Sequence, residues 1–365
     1  MAQAAEYYRA GLAMLEELGQ IDDDVKLQQG LFYSDLGDVL IDMRDWAGAR
    51  SAYETSLALA QERSGVRSTA IVKGKLGNLA IKQDDLKEAA KLYQEVLFTF
   101  QQLGEPLSEA KTWHQLGVIY GKAQQWEAAE HHYREAARLW ESQGDSAGTA
   151  TTWHQLAIVN QRVGQIEVAK AWYEKTAEVF RQINQPILRS TVLTDLAMLL
   201  QSQPHPSSSD LTTAHQYAKA ALEIWQTFDP TAAEIWKIYK ILVEIAEKQG
   251  LASEERIYRQ KAKVFYVKIQ YGLQKFTPSI RSLILGTVMA VNGDVDALEK
   301  LETAMQSAPN SATKLIETQR RILEGERDEA TLMGPLDFED SMIIHAILQG
   351  IADPTTLQAL LGEDE

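Results

Sequence analysis

From Thr112 the chain reads TWHQLGVIYGKAQQWEAAEHHYREAARLW, and from Thr152 it reads TWHQLAIVNQRVGQIEVAKAWYEKTAEVF. In the first stretch Trp113, Leu116, Gly117 and Tyr120 fall three and four apart, the spacing of one face of an α-helix. Sliding the chain against itself by 40 brings Leu36, Leu76, Leu116, Leu156 and Leu196 into register, each followed by a small residue, Gly37, Gly77, Gly117, Ala157 and Ala197. Two further columns agree at the same spacing: Ala49, Ala89, Ala129 and Ala169, then Tyr53, Tyr93, Tyr133 and Tyr173. The pattern predicts two helices per unit. The small residue beside the leucine lets the second helix approach closely, the later alanine offers a matching shallow spot, and the tyrosine fills the space above it. KQDD, KAQQ and RVGQ mark a short polar turn inside successive units; LGEPLSEA, QGDSAGTA and INQPILRS mark a looser link between units. One such pair cannot bury its apolar face alone, so the pairs must stack.

The columns Trp/Tyr-x-x-Leu-Gly/Ala-x-x-Tyr and Ala-x-x-x-Tyr resemble the tetratricopeptide repeat. The usual unit there is about 34 residues. The longer unit here is similar to the extended repeats of kinesin light chains and of bacterial regulators that carry such arrays beside signalling ATPases or proteases. The resemblance covers about residues 30–265. It implies an all-α, right-handed superhelical solenoid of antiparallel helix pairs that binds a protein or peptide partner in its concave groove and catalyses nothing. In that architecture the first helices line the inner wall, and the side chains two before and two after the Leu-Gly pair project into the groove. Those positions are Ser34 and Asp38, Gly74 and Asn78, His114 and Val118, His154 and Ile158, with Lys111 and Thr151 one turn earlier. The candidate partner-binding set is therefore Asp38, Asn78, Lys111, His114, Thr151 and His154. Some family members clamp a terminal carboxylate with Lys, Asn and Arg on this wall. Only Asn78 and Lys111 suit that chemistry here and they do not fall in the expected adjacent-unit pattern, so a clamp is not expected.

Departures from the columns bound the array. Lys73 stands where other units carry Tyr33, Trp113 and Trp153, and Asn160 replaces the tyrosine at 120. After Leu196 the turn swells to QSQPHPSSSD, and the last pair, from Ile235, loses the Ala and Tyr columns, as an end unit facing water should. AAEYYRAGLAMLEELG, from Ala4, looks like a second helix without its first, either a cap or part of a longer array. From about Lys275 the register is lost. TPSIRSLILGTVMAVNG reads as a helix opened by Thr277-Pro278 and stopped by Asn292-Gly293. DVDALEKLETAMQS, SATKLIETQRRILEGE and FEDSMIIHAILQGI continue the helical pattern, and DPTTLQALLG makes a short last helix. The expected organisation is a lone helix in 1–29, repeats in 30–270 and a helical segment in 271–365, either a cap on the array or a separate binding module.

Composition narrows the function. A net charge of −15 argues against nucleic acid, whose phosphates need Lys and Arg, and against docking on anionic lipid. The absence of cysteine removes disulfides, thiol nucleophiles and Cys-ligated metal. No signal peptide or membrane span is legible, so a cytoplasmic protein without membrane partners is expected. Gly74-Lys75 and Gly121-Lys122 lack the Ser or Thr and the flanking turn of a phosphate loop, and Gly-x-Ser-x-Gly and His-Glu-x-x-His are absent. His131 and His132 point about 100° apart on a helix and make a poor chelate. His114 and His154 share a row, but neighbouring first helices sit about 10 Å apart, too far for one metal ion. They are either repeat duplicates or a polar row for a bound peptide. The eight tryptophans read as core, with Trp113 and Trp153 starting first helices and Trp46 and Trp126 starting second helices. No cofactor or metal is expected. Two alternatives stand beside the scaffold: a sensor arm acting with a signalling ATPase or protease, and an enzyme in the C-terminal segment, which offers only His345.

Overall fold

A computed structural model describes residues 2–17, 22–232, 234–270 and 277–353, and among these the chain forms eighteen α-helices, one 3-10 turn and no strand. The helices divide after Gln185 into two units, each with its own contacts. The first holds α1 (Ala2–Glu17), α2 (Asp23–Asp42), α3 (Trp46–Glu62), α4 (Val66–Lys82), α5 (Leu86–Leu103), α6 (Pro106–Lys122), α7 (Trp126–Ser142), α8 (Ser146–Arg162) and α9 (Ile166–Gln182). From α2 to α8 each packs chiefly on the helix before it and the helix after it, as in a solenoid, where stability is a sum over nearest neighbours.

The turns are more regular than the sequence suggested. Arg44, Ser64, Asp84, Gly104, Gln124, Gly144, Gly164 and Asn184 all adopt positive φ, one every 20 residues. The N–H of the residue after each reaches back to the carbonyl five residues earlier: Asp45 to Leu40 at 2.9 Å, Asp85 to Ala80 at 2.9 Å, Gln125 to Tyr120 at 2.9 Å, Gln165 to Asn160 at 2.8 Å. This is the Schellman closure of a helix C-terminus. The same residue opens the next helix. Asp45, Asp85 and Asp145 accept from the backbone N–H of Gly48, Glu88 and Gly148 at 2.9, 3.0 and 2.7 Å, which satisfies donors the new helix leaves open. The expected distinction between a tight turn within a unit and a looser link between units is therefore corrected. One turn serves both, and the backbone repeats every helix while the side chains repeat every pair.

Between paired helices the glycine column and the tyrosine column meet directly. A Cβ at Gly37, Gly77 or Gly117 would lie 2.4, 2.7 or 2.6 Å from the ring of Tyr53, Tyr93 or Tyr133, so the ring lies flat against bare backbone. Those tyrosines, and Tyr173 opposite Ala157, are all buried. Ion pairs tie successive pairs together: Arg50 to both carboxylate oxygens of Glu88 at 2.9 Å, and Arg67 to Glu105 at 2.8 Å. They are half-exposed, and such pairs contribute roughly 0–1 kcal/mol each.

The second unit begins with α10 (Pro186–Gln201), α11 (Ser208–Phe228), α12 (Glu234–Gln249) and α13 (Ala252–Gln270). The swollen loop before α11 ends in a capping box between Ser207 and Asp210. Then follow α14 (Pro278–Val291), α15 (Val295–Ser307), α16 (Thr313–Leu323), α17 (Glu329–Met333) and α18 (Phe338–Ala352). Thr277 caps α14 and Asn292-Gly293 ends it, as expected. The five-residue α17 was not legible, and the helix expected from Asp353-Pro354 lies outside the described residues. Ile284, Val288, Ile322, Leu332, Ile344 and Ile347 form the core of α14–α18, and Tyr266 of α13 packs against it. The buried Lys263 of α13 donates to the carbonyls of Met333 at 2.9 Å, Gly334 at 3.0 Å and Leu336. Burial pushes its ammonium pKa down to about 8, while three carbonyl acceptors favour the charged form. All three of its protons are engaged, which removes it as a nucleophile.

The shared turn makes a test of backbone strain. A non-glycine residue in the left-handed region costs about 1–2 kcal/mol. Nothing lies within 4 Å of a Cβ built at Gly144, so only its backbone conformation opposes substitution. Gly144→Ala should therefore lower the urea midpoint by the equivalent of about 1–2 kcal/mol. Gln124→Gly should raise it by about 0.5–1 kcal/mol, the relief of strain less the entropy glycine loses on folding. Urea unfolding followed by circular dichroism reads both, and a destabilised Gln124→Gly would contradict the strain argument.

Candidate functional site

An open cleft of about 560 Å³ lies across the first helices of three successive pairs in the first unit. Asp38, Asp42, Lys75, Asn78, Lys82, Gln115 and Lys122 supply its polar lining, from α2, α4 and α6. Its position follows from the repeat. The residue two after the leucine, and the residue in the last helical turn, face the same way on each first helix, so stacking the pairs lines them up.

The expected site residues separate into two groups. Asp38 and Asn78 lie exposed in the cleft, and both are already engaged. The buried Tyr53 hydroxyl donates to Asp38 Oδ1 at 2.6 Å, and the Tyr93 hydroxyl donates to Asn78 Oδ1 at 2.6 Å. Asp38 also accepts from Lys75 at 2.7 Å. Burial, then the Asp38 carboxylate, pushes the Tyr53 phenol far above its ordinary value, so its proton stays on the bridge. Asp38 and Asn78 are thus the outer ends of hydrogen bonds that satisfy core tyrosines. Val118 lines the cleft as expected. Ser34 does not: it is buried and faces a different cleft, beside Gly30 and Ser56.

Lys111, His114, Thr151 and His154 are not among the lining residues. Lys111 and Thr151 are exposed on their helices, and the Thr151 hydroxyl donates to its own helix at Ala147 O, 2.8 Å. His114 is half-buried with its ring edge against Tyr133, and His154 sits the same way against Tyr173, with ring centroids 5.3 and 5.7 Å apart. His114 Nδ1 lies 3.1 Å from Thr152 Oγ1 on α8. That hydroxyl gives its one proton to Gly148 O at 2.9 Å. With that proton placed on Gly148, Nδ1 in its protonated tautomer donates to the hydroxyl oxygen. The histidine of the first Thr-Trp-His-Gln-Leu thus bonds the threonine of the second and ties two pairs together. Burial pushes its pKa down to about 4. The tryptophans pack as expected in part: Trp153 is buried, and Trp46 and Trp126 pack against the core from its edge.

The sequence reading missed Lys82 and Lys122. With Arg162 they form a basic column at the last turn of α4, α6 and α8, where a cation also meets the negative end of the helix dipole. Sliding the sequence by 40 shows that column too; it carries no apolar residue, and an apolar-first reading passes over it. Among the described residues neither Lys82 nor Lys122 has an ion-pair partner.

The comparisons agree with this architecture. Residues 29–101 and 108–182 match the model of the tetratricopeptide repeat, repeats that indicate a protein–protein interaction scaffold. No curated protein gives a significant match. Among solved structures the chain is similar to BtubC (BKLC) from P. vanneervenii, 22% identical with a TM-score of 0.54, over 65% of this chain and 94% of that one. It is similar to a signal transduction ATPase with numerous domains, with a tetratricopeptide repeat sensor, from Pyrococcus horikoshii: 18% identical, TM-score 0.60, over 70% of this chain and 39% of that one. The apo form of RapI is 14% identical with a TM-score of 0.52, over 72% of this chain and 90% of that one. At these identities the likeness establishes the fold, an all-α repeat solenoid. No helix among the described residues is long and apolar enough to cross a membrane.

The half-buried His114 carries a pH signature. Its neutral ring is required in the fold, whereas the unfolded ring titrates near about 6.5. The unfolded state therefore binds more protons between pH 6.5 and about 4, and stability falls as pH falls through that window, by at most about 1.4 kcal/mol per pH unit. His114→Asn keeps an N–H donor and removes the titration. Thermal midpoints of the wild type should drop more steeply than those of His114→Asn from pH 7 to 4.5; parallel curves would refute the assignment.

Proposed function

We propose, from the match of residues 29–101 and 108–182 to the tetratricopeptide repeat, that the chain is a non-catalytic scaffold or adaptor that holds an extended segment of a protein partner in the cleft across α2, α4 and α6. The observation that carries the reading is the cleft itself. It combines unpaired Lys82 and Lys122 with Gln115 and with the apolar Ile81 and Val118, so it offers charge, hydrogen bonds and apolar contact along one line. Stacked rigid helices pre-form it, and a pre-formed groove loses little entropy on binding. Asp38 and Asn78 contribute their remaining acceptor capacity, while His114 and His154 act by holding the wall. Lys111 and Thr151 extend the exposed face beyond the cleft. A cytoplasmic setting belongs to this reading, as does a partner that is neither nucleic acid nor membrane.

The C-terminal helices fit the role of a cap. Lys263 and Tyr266 of α13 are held by α17 and by the core of α14–α18, and ending the chain near residue 270 would strand both. The lone N-terminal helix, the repeats in 30–270 and the segment in 271–365 remain the organisation we propose. The sensor role belongs to the Pyrococcus horikoshii protein, and no residue here favours it over a scaffold.

A photo-crosslinking residue at Gln115 tests the reading against one at Arg138, exposed on α7. Irradiation in the native lysate should give a protein adduct from position 115 and none from position 138. The adduct should fall at least about fivefold when Lys82 and Lys122 are both changed to Glu, since like charge at an interface costs more than about 1 kcal/mol. Equal adducts from both positions, or none from position 115, would sink the proposal.

A further inference from the structure

In every later pair of the first unit, one position late in the second helix carries a buried aromatic ring: Phe100, Trp140 and Phe180, exposed by only 6%, 6% and 2%. Phe100 and Trp140 lie against the first helix of their own pair, and Trp140 also against Gly148 of the helix that follows. Phe100 packs with Ala70 and Val96, and Trp140 with Ala110, Ala136 and Leu139. The register places Ala60 at this position in the first full pair. The missing ring leaves a hole: a cleft of about 80 Å³ between α2, α3 and α4, open to solvent on one side and lined by Ala60, Leu27, Leu31, Ile71 and Val72.

Two more departures fall on the same cleft. Leu31 and Ile71 are 49% and 39% exposed at its edge, where the later pairs carry Lys111 and Thr151. Arg63 lines it too, where later pairs carry Leu103, Gln143 and Ile183. The Arg63 Nε is buried with no hydrogen-bond partner. The nearby Lys26 is paired with Glu62 at 2.9 Å, so the uncompensated charge at the cleft is the Arg63 guanidinium. A buried guanidinium N–H without an acceptor is costly. A packing fault alone would not also expose apolar residues and aim a cation at the gap.

We propose that this cleft is a docking pocket for a peptide segment of the partner in which an aromatic side chain stands beside a carboxylate. The ring occupies the space that Phe100, Trp140 and Phe180 occupy in later pairs, and the carboxylate accepts from Arg63, whose planar fork suits it. This rests on the reading of the chain as a peptide-binding scaffold and adds the chemistry that one subsite selects.

Fluorescence anisotropy of the full chain with a labelled octapeptide carrying one phenylalanine followed by one aspartate tests it. Saturable binding is expected, weakened at least about tenfold when the phenylalanine is replaced by alanine or the aspartate by asparagine, the scale of an interface anchor. Ala60→Phe restores the ring and should raise the melting temperature while weakening binding at least about tenfold. Arg63→Gln removes the unsatisfied guanidinium N–H, so it should not lower the melting temperature, and it should weaken binding by about tenfold and remove most of its salt dependence. If Ala60→Phe does not fold, Arg63→Gln decides. No saturable binding by the wild type, or binding insensitive to the variants, overturns the proposal. An adduct at Gln115 that persists in such a case would show that the scaffold reading stands without this pocket.

Discussion

The first unit depends on one turn. A helix can stop and reverse in three residues when one of them takes the left-handed conformation and the next closes the old helix and begins the new one. Asp45, Asp85 and Asp145 do both with a single residue, through the N–H on one side and the carboxylate on the other. That economy fixes the helix spacing along the chain and keeps the registers of neighbouring helices locked. With register fixed, Gly37 meets Tyr53 and Gly117 meets Tyr133 at every pair, and the packing repeats because the backbone does.

Sequence showed what packing demands and missed what backbone geometry demands. The Leu, Gly/Ala, Ala and Tyr columns were legible because each must fill or leave a particular volume. The 20-residue turn was not, because its left-handed column reads Arg, Ser, Asp, Gly, Gln, Gly, Gly, Asn. A strain of about 1–2 kcal/mol is small against the burial of a whole helix face, so most residue types persist there. The short α17 was hidden for a similar reason: it is too brief for periodicity, and Lys263, 70 residues earlier, holds its end. No local pattern announces such a bond.

The expected groove residues divide into two groups for a physical reason. Projecting side chains from a helix wheel gives direction and not partnership. Asp38 and Asn78 do point into the cleft, yet each is the acceptor a buried phenol needs. His114 points toward the next pair and makes the bond that joins the two Thr-Trp-His-Gln-Leu copies. Lys82 and Lys122 were legible as a column and were passed over, since a basic residue at a helix end already has a local explanation in the dipole.

A repeat array supplies its own controls. Where four pairs share a column, that residue is needed by the stack, and where one pair departs, the stack tolerates a loss or something else selects the change. A single departure has little force: Lys73 replaces an aromatic and simply pairs with Glu95 at 2.6 Å. Around Ala60 the case differs, because volume, exposure and charge depart together in residues drawn from three helices. Independent drift at Leu31, Ala60, Arg63 and Ile71 has no reason to converge on one cleft. The stack does not need that convergence, which leaves an occupant outside it as the common cause.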